Sequence, residues 1–387
     1  MSERNNIDGC EAMSYKTDFN KLLSELDARK PDPQVLVSKN ADENTKKLFS
    51  YLKSIYGKKI LSGQQYLQKE EYEDIVYYRE TGKLPAIRGY DLMDIDKGEK
   101  SDNQIPRAIE WAKNSGCIIT LCWHWYAPDD MNDMENSVWS FYDKDTEYEW
   151  KTSFSLLKAV EEGTAEYEFA VSRIDKIANE LRKFEREGIP VLWRPLHEAY
   201  GSWFWWGRKK TDSELSVEAY KKLWYMIFDR LENYHKLTNL IWVWNGQNKI
   251  MAVNPNTYDF CGEDIYPEAE DHSSQKEKYN ELISYTQGKM TALTECGYIP
   301  KPENLVADGV KWLWWLPWWG SFVYKMEKPY KEISPDDVVI NSEKMSSALL
   351  KQIFDDDYCV TLDKLPWFNK ENEKYLKKRM SKSKGEN

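Results

Sequence analysis

The sequence lacks the spacing of cysteine and histidine residues that a metal site needs. None of its six cysteines pairs with another in a CxxC motif, and its four histidines are scattered along the chain. Most of the cysteines occur in apolar runs, where free thiols are usually buried. We therefore predict no zinc site and no other bound metal.

A long apolar segment is also missing. No run of 18 apolar residues occurs, so no transmembrane helix is predicted. The first 16 residues, MSERNNIDGCEAMSYK, contain no apolar core of a signal peptide. We expect the protein to be secreted if a leader has been removed from the chain, and to be cytoplasmic otherwise.

Positive charge is in deficit. The 387-residue chain has 54 Lys and Arg residues against 65 Asp and Glu residues, which gives a net charge of −11. A chain with this balance is poorly suited to bind nucleic acid or an anionic membrane. A neutral ligand fits this charge better.

Tryptophan, in contrast, is abundant and clustered. Thirteen of the 18 tryptophans fall in four short segments, residues 117–125, 190–206, 239–247 and 312–320. The flat faces of aromatic rings suit the C–H faces of sugar rings, so this clustering favours a carbohydrate site. Aromatic packing in a large core is the alternative explanation for some of these residues.

Eight apolar runs predict eight strands. They lie at residues 59–64, 84–92, 117–125, 189–193, 239–247, 259–266, 289–297 and 312–320. Helical patterns separate most of them, at residues 70–80, 104–115, 166–186, 216–235, 275–286 and 342–354. This alternation indicates parallel βαβ units, and eight such units predict a (β/α)8 TIM barrel in the α/β class.

The barrel is expected to be a single domain with two appendages. We place a polar N-terminal arm, with one short helix at residues 19–28, at residues 1–40 and the barrel domain at residues 41–366. Residues 367–387 are a Lys-rich tail that we expect to be a frayed, solvated end. A polar and aromatic insertion at residues 126–163 is expected to form a wall beside the site.

Polar residues follow almost every predicted strand. They include Gln64, Asp91, His124, Glu198, Asn245, Gln247, Asp264, Tyr266 and Glu295. In this class of barrel the active site lies at the carboxyl ends of the strands. The sequence therefore predicts one site at that end of the barrel.

Carboxyl groups are the reactive groups of this predicted site. Cleavage of a glycosidic bond needs two of them, one to protonate the leaving oxygen and one to attack the anomeric carbon or activate water. We assign the acid/base role to Glu198, since the tryptophans that follow it would desolvate it and raise its pKa. We assign the nucleophile to Glu295, because strands four and seven face each other across the barrel. This chemistry requires no cofactor.

Glu263 is the rival candidate for the nucleophile. Adjacent residues of a strand point to opposite sides, so only one of Glu263 and Asp264 should face the pocket. Tyr266 has the parity of Asp264, and we therefore favour Asp264 and Tyr266 as pocket residues.

Four motifs resemble glycoside hydrolase family 26, whose best-known members are endo-β-1,4-mannanases. They are WRPLHEAYGSWFWWG (193–207), NLIWVWNGQN (239–248), DIYP (264–267) and ALTECG (292–297), supported by EEGTAEY (161–167) and LPAIRGYD (84–91). The resemblance covers residues 58–366. It implies a (β/α)8 barrel and a retaining double displacement, with Glu198 as acid/base and Glu295 as nucleophile.

The resemblance also implies supporting residues. His124 and His197 are similar to substrate-binding residues of the family, and Tyr266 is similar to the tyrosine that positions the nucleophile. Trp203 resembles an aromatic residue near the cleavage point. Arg194 is expected to orient Glu295 or the polar network around it. Its charge would help to keep the nucleophile ionised.

The tryptophan beneath the sugar that is cleaved is less narrowly assigned. Trp318 resembles this residue of the family, and Trp315 and Trp319 are near alternatives.

Several functions remain open at this point. The leading hypothesis is a retaining endo-β-1,4-mannanase that binds β-mannan or a related plant polysaccharide and acts as a monomer. A β-1,3-1,4-glucanase (lichenase) or a xylanase would use the same chemistry on another substrate. A non-catalytic carbohydrate-binding barrel is disfavoured by the two intact glutamates.

Overall fold

The computed structural model describes residues 15–93, 95, 104–328 and 334–382. The predicted arm and tail extend beyond these residues, so the parts at 1–14 and 383–387 lie outside the described residues. The division of the chain at residues 40 and 366 stays a prediction.

Eight short parallel strands form a closed barrel, which confirms the predicted fold class. Their bounds are β1 (Ile60–Gln65), β2 (Ile87–Asp91), β3 (Ile118–Cys122), β4 (Val191–Arg194), β5 (Leu240–Trp244), β6 (Phe260–Ile265), β7 (Met290–Cys296) and β8 (Trp312–Pro317). Each strand pairs with the next, and β8 pairs with β1, where Leu61 lies opposite Trp314. Every residue of these strands is buried, because helices cover one side and barrel-filling side chains the other.

Helices precede the barrel and cover its outside. They are α1 (Phe19–Asp27), α2 (Glu43–Ile55), α3 (Tyr72–Thr81), α4 (Gln104–Ser115), α5 (Leu156–Ala159), α6 (Ala165–Arg186), α7 (Ser213–Asp229), α8 (Lys276–Ile283), α9 (Pro302–Asp308), α10 (Ser347–Asp355) and α11 (Lys370–Lys382). The Thr164 side chain caps α6 by accepting the backbone N–H of Tyr167. None of the described helices combines the length and apolarity needed to cross a bilayer.

The connections of the second half of the barrel depart from a regular alternation. Between β5 and β6 the described chain makes only the 3₁₀ turns Lys249–Met251 and Pro255–Thr257, because the link is too short for a helix that packs on the barrel. The helical pattern at residues 216–235 is α7 followed by a π turn at Arg230–Tyr234. Helix α9 was not predicted, since its seven residues carry little periodicity.

The expectation of a frayed tail is wrong for residues 370–382, which form α11. Arg379 reaches the buried carboxylate of Glu71 at 3.3 Å. Just before the helix, the Trp367 indole N–H donates to the carbonyl oxygen of Gly116 at 2.7 Å. The many lysines suggested a solvated end, but these few contacts anchor the segment to the barrel.

Residues 126–155, here called the wall loop, form an ordered wall beside the carboxyl end of β4. Within the loop, Ala127–Pro128 pairs with Trp139–Ser140. Its backbone also bonds to the segment after β4, since Trp205 N–H donates to the Phe141 carbonyl at 3.0 Å and Asp143 N–H donates to the Trp203 carbonyl at 2.8 Å. The loop and the β4 segment therefore act as one surface.

Candidate active site

Three carboxyl groups meet at the carboxyl end of the barrel. Glu198 follows β4, Asp264 lies in β6 and Glu295 lies in β7. One carboxylate oxygen from each lies within 4.8 Å of the other two. The strand ends that the sequence singled out therefore converge on one site.

Glu295 is held by two hydrogen-bond donors. Arg194 donates from Nη2 to Oε1, and the Tyr266 hydroxyl donates to Oε2 at 2.5 Å. Burial and the charge of Asp264 raise the pKa of Glu295, while Arg194 and Tyr266 lower it, and the result is about 7. The expected effect of Arg194 is present, but it only partly offsets the effect of burial.

Arg194 bridges Glu295 to Asp264. Its Nη1 donates to Oδ2 of Asp264 at 2.8 Å. The other oxygen of Asp264 accepts from Asn245 Nδ2 at 2.8 Å and from the Thr294 hydroxyl at 2.6 Å. Both carboxylate oxygens of Asp264 thus accept hydrogen bonds from the protein. We interpret Asp264 as the group that fixes the position of Arg194.

Thr294 is a site residue that the sequence reasoning missed. The pairing of β6 with β7 shifts here: Glu263 lies opposite Leu293, but Asp264 lies opposite Glu295. Thr294 is therefore the extra residue of a bulge. A bulge breaks the rule that alternate residues share a face, so parity could not have found Thr294.

Glu263 lies outside the pocket. It is buried, and that burial raises its pKa to about 8, while the charge of Lys278 in the outer helix α8 lowers the pKa. Asp264, in contrast, faces Arg194. The structure thus places these two neighbours on opposite sides of β6, as parity predicts.

Glu198 stands on a strained turn. Its φ of 55° lies in the left-handed region, which a residue with a Cβ rarely adopts. The Trp203 indole N–H donates to its Oε2 at 2.8 Å, and Asn245 Oδ1 accepts its backbone N–H at 3.1 Å. Burial raises the pKa of Glu198 well above its usual value, and the charges of Asp264 and Glu295 raise it further. A raised pKa favours the protonated form, which is the form that a general acid needs.

Two histidines line the pocket between β3 and β4. Asp91 at the end of β2 holds Nδ1 of His124 at 2.5 Å, and Nε2 of His124 lies 3.3 Å from Nε2 of His197. Burial and the charge of Arg194 lower the pKa of His197 well below its usual value. Asp91, which was predicted only as a polar strand end, thus fixes the orientation of His124.

The structure separates two of the strand-eight tryptophans. The Trp318 ring lies 5.8 Å from the His124 ring, at the mouth of the site. Trp315 is fully buried and packs 5.9 Å from Phe354 of the outer helix α10. Trp319 is partly buried. Trp318, and not Trp315, is therefore placed beside the pocket.

The backbone around Trp318 is fixed from behind. Gln64 Nε2 at the end of β1 donates to the Trp318 carbonyl at 3.3 Å. The buried carboxylate of Glu73 in α3 accepts the backbone N–H of Gly320 at 2.9 Å. These bonds fix the position of the Trp318 backbone.

Most of the clustered tryptophans are core residues. Ten of the thirteen are fully buried in the described structure: Trp123, Trp125, Trp193, Trp205, Trp206, Trp242, Trp244, Trp312, Trp314 and Trp315. Trp203, Trp318 and Trp319 are only partly buried. The clustering thus mainly reflects packing, because most of these indole side chains fill the interior of the protein and do not reach the site. Only the last three are accessible to a ligand.

A parallel barrel whose strand ends hold an arginine-bound glutamate within 4.8 Å of a desolvated one has the arrangement that glycoside cleavage requires. The model of glycosyl hydrolase family 26 matches residues 37–344, and the chain belongs to that family.

The relatives of this chain include two proteins that are named as mannan endo-1,4-β-mannosidases. A mannan endo-1,4-β-mannosidase of Thermothelomyces thermophilus is 35% identical over 87% of this chain and 65% of its own length. Mannan endo-1,4-β-mannosidase A of Piromyces sp is 34% identical over 86% of this chain and 51% of its own length. The chain therefore spans between half and two thirds of the length of these two relatives.

Solved structures show the same architecture. A β-(1,4)-mannanase of Podospora anserina is 36% identical, with a TM-score of 0.72 over 88% of this chain and 71% of that chain. A β-mannanase from a symbiotic protist of the termite Reticulitermes speratus, complexed with a gluco-manno-oligosaccharide, is 28% identical. Its TM-score is 0.72 over 86% of this chain and 98% of that chain.

Proposed function

We propose that this chain is a retaining endo-β-1,4-mannanase that hydrolyses mannan-type polysaccharides by double displacement. The observation that carries the proposal is the pair of Glu198 and Glu295, whose carboxylate oxygens lie within 4.8 Å of each other in different environments. In retaining enzymes the two carboxyl groups are about 5–5.5 Å apart, against about 6.5–9.5 Å in inverting ones. A short separation supports direct attack by the second carboxylate over attack by a water molecule that it activates.

In the first step Glu295 is the nucleophile. Its carboxylate oxygen forms a bond to the anomeric carbon as the bond to the glycosidic oxygen breaks, and the leaving oxygen takes the proton of Glu198. Trp203 donates to Oε2 of Glu198, which leaves Oε1 to carry that proton. Arg194 and Tyr266 hold the nucleophile in position for attack.

In the second step Glu198 is the general base. Its carboxylate takes a proton from water, the water oxygen forms a bond to the anomeric carbon, and the bond to Glu295 breaks. Two inversions at one carbon give net retention. The tyrosine and the arginine remain on Glu295 and stabilise it as a leaving carboxylate.

The pocket residues are assigned to the substrate. His124 and His197 present imidazole groups beside the carboxyl pair, and Trp318 supplies an aromatic face near His124. We assign these three to the sugar whose bond is cleaved. Trp203 is assigned to the region of the leaving group, since it contacts the acid/base.

The substrate assignment is tested by the release of reducing sugar from galactomannan, lichenan and xylan. The protein and its Glu295→Ala variant are compared, with Glu263→Gln as a matched control in the same part of the barrel. We expect release from galactomannan, its loss in Glu295→Ala and its retention in Glu263→Gln. Release only from lichenan or xylan would move the assignment to a glucanase or xylanase. Release from none of the three, together with binding, would support a non-catalytic barrel.

The role of Glu198 is tested with a leaving group that needs no protonation. Glu198→Ala should slow polysaccharide hydrolysis by about 10²–10⁴-fold, the usual contribution of general acid–base catalysis. The formation of the glycosyl-enzyme from an activated aryl mannoside should be affected far less. If Glu198→Ala and Glu295→Ala were equally inactive in that first step, the two roles would be wrongly assigned.

A further inference from the structure

Four aromatic rings form a column that runs outward from the site: Trp206, Phe204, Tyr142 and Tyr148. Consecutive ring centroids are 4.5, 5.9 and 3.7 Å apart, with interplanar angles of 25°, 24° and 17°. Phe204 lies 5.3 Å from the ring of His124 and 5.2 Å from the ring of His197. The inner end of the column is therefore part of the pocket wall.

The outer end of the column is accessible. Tyr142 covers one face of Tyr148, yet Tyr148 is 50% exposed. Trp150, two residues further along the wall loop, is 65% exposed. Its carbonyl accepts a hydrogen bond from the Ser140 hydroxyl at 2.8 Å, so its backbone is fixed. Tyr148, at the outer end of the column, and Trp150, two residues away in the chain, are thus both exposed to solvent.

The segment that carries these rings is held at several points. Thr152 N–H donates to the Tyr142 carbonyl at 2.9 Å, and Asp143 N–H donates to the Trp203 carbonyl at 2.8 Å. Lys209 forms an ion pair with Asp143 beneath the loop. A platform fixed in this way loses little conformational entropy when a ligand binds. Because Trp203 contacts Glu198, the platform lies on the acid/base side of the site.

We infer that Tyr148 and Trp150 form a sugar-binding platform that holds a further stretch of the polysaccharide beyond the catalytic pocket. This inference rests on the proposed hydrolysis of a β-linked glycan. The ring faces suit the C–H faces of sugars. The intervening charges of residues 144–151 have both signs and are exposed, so the surface suits a neutral chain. The buried rings of Trp206 and Phe204 support the exposed end of the column, and the glycan would contact only that end.

Binding in the inactive Glu295→Ala background tests the platform. The probes are galactomannan, lichenan and xylan in affinity gels, and a manno-disaccharide as the short ligand. Tyr148→Ala combined with Trp150→Ala should weaken polysaccharide binding roughly tenfold relative to disaccharide binding, since two side chains lose apolar contact area. The single variant Tyr148→Phe keeps the ring, and its ratio of polysaccharide binding to disaccharide binding should equal that of the parent. Val306→Ala, at a 62% exposed residue of α9, is the matched surface control.

The outcomes separate the two proposals. If the double variant keeps the parental ratio, or if disaccharide binding falls equally, the platform is refuted while hydrolysis by the unsubstituted protein still supports the enzyme. If the unsubstituted protein neither binds nor hydrolyses any of the three polysaccharides, both proposals fail. Equal melting temperatures of the variants and the parent show that the wall loop is intact.

Discussion

Two buried arginines of the barrel each pair with two buried carboxylates, one at the candidate active site and one away from it. Arg194 in β4 pairs with Asp264 and Glu295 in the site. Arg88 in β2 pairs with Asp74 at 2.9 Å and Glu71 at 3.1 Å, outside the barrel. Both side chains are 1–2% exposed. We call these the site cluster and the outer cluster.

The two clusters differ in their balance of charge. In the outer cluster, Arg107 and Arg379 also approach Glu71, at 3.5 and 3.3 Å, so three arginines serve two carboxylates. Burial would raise the pKa of Glu71, but Arg88 and Arg107 more than offset this and hold it below its usual value. Burial still raises the pKa of Asp74 in the same cluster, although Arg88 opposes it.

In the site cluster, Arg194 pairs with Asp264 and Glu295. The third carboxyl group, Glu198, has no arginine partner among the described residues and a pKa well above its usual value. The outer cluster therefore has more cations for its carboxylates than the site cluster has.

The largest expected effect is the loss of the nucleophile. Glu295→Ala should lower turnover of both polysaccharide and aryl mannoside by on the order of 10⁴-fold or more, because the proposed covalent intermediate forms on Glu295. The counterpart in the outer cluster, Glu71→Gln, should lower the free energy of unfolding and leave the turnover of the folded fraction nearly unchanged. Steady-state kinetics and chemical denaturation of both variants measure this contrast. Comparable losses of turnover would remove the distinction between the clusters.

The two arginines should differ when each is replaced by methionine. Arg88→Met leaves two buried acids without their main cation and should cost about 3–5 kcal/mol of unfolding free energy, measured by denaturation. Its pH–rate profile should not change. Arg194→Met should raise the pKa of Glu295, so activity on the acidic side should be lost at higher pH than in the parent. A shifted profile in Arg88→Met would contradict the separation of roles.

The Asp264→Asn variant tests how the charge of Asp264 affects the pKa values of Glu198 and Glu295. The charge of Asp264 raises the pKa of both Glu198 and Glu295, so its removal should lower both values. Glu295 must be ionised, and activity is lost as the pH falls through its pKa. Glu198 must be protonated, and activity is lost as the pH rises through its pKa. Both limbs of the kcat/KM profile should therefore move to lower pH. A shift of either limb to higher pH would show that the loss of the Arg194 contact dominates.

The smallest expected effect is that of Arg379→Ala. This side chain is about one third exposed, so its pair with Glu71 should contribute only about 0.2–1 kcal/mol to the free energy of unfolding. Thermal denaturation with Lys377→Ala, on the exposed side of the same helix, as the control measures the difference. A cost of several kcal/mol would mean that α11 is essential to the outer cluster.

The sequence predicted the barrel because strands buried on both faces appear as continuous apolar runs. It also predicted the carboxyl pair, because parallel strands bring their carboxyl ends together. The outer cluster could not be predicted, since Glu71 and Arg379 are 308 residues apart in the chain. Thr294 was missed because a bulge alters the register, and no pattern of residue types marks that bulge.

Backbone conformation accounts for another part of what was missed. Glu198 lies on a left-handed turn and its carboxyl group accepts a hydrogen bond from Trp203, but its residue type gives no sign of a positive φ. The tryptophan-rich segments do include strands of the barrel. The sequence alone could not show that Trp315 is buried and Trp318 is accessible, because this depends on the direction in which each side chain points. The direction in which an N–H group or an aromatic face points depends on such local geometry. The position of a strand, in contrast, can be predicted from the apolar residues that form it.

The stereochemistry of the first product tests whether the chain hydrolyses mannan by double displacement at the anomeric carbon. Proton NMR during the first minutes of hydrolysis of a β-1,4-linked mannohexaose resolves the anomers before they interconvert. We expect the β anomer of the new reducing end to form first and the α anomer to follow by mutarotation, because two displacements at the anomeric carbon, the first by Glu295, retain its configuration. If the α anomer appeared first, the reaction would invert, and Glu295 would not be a covalent nucleophile.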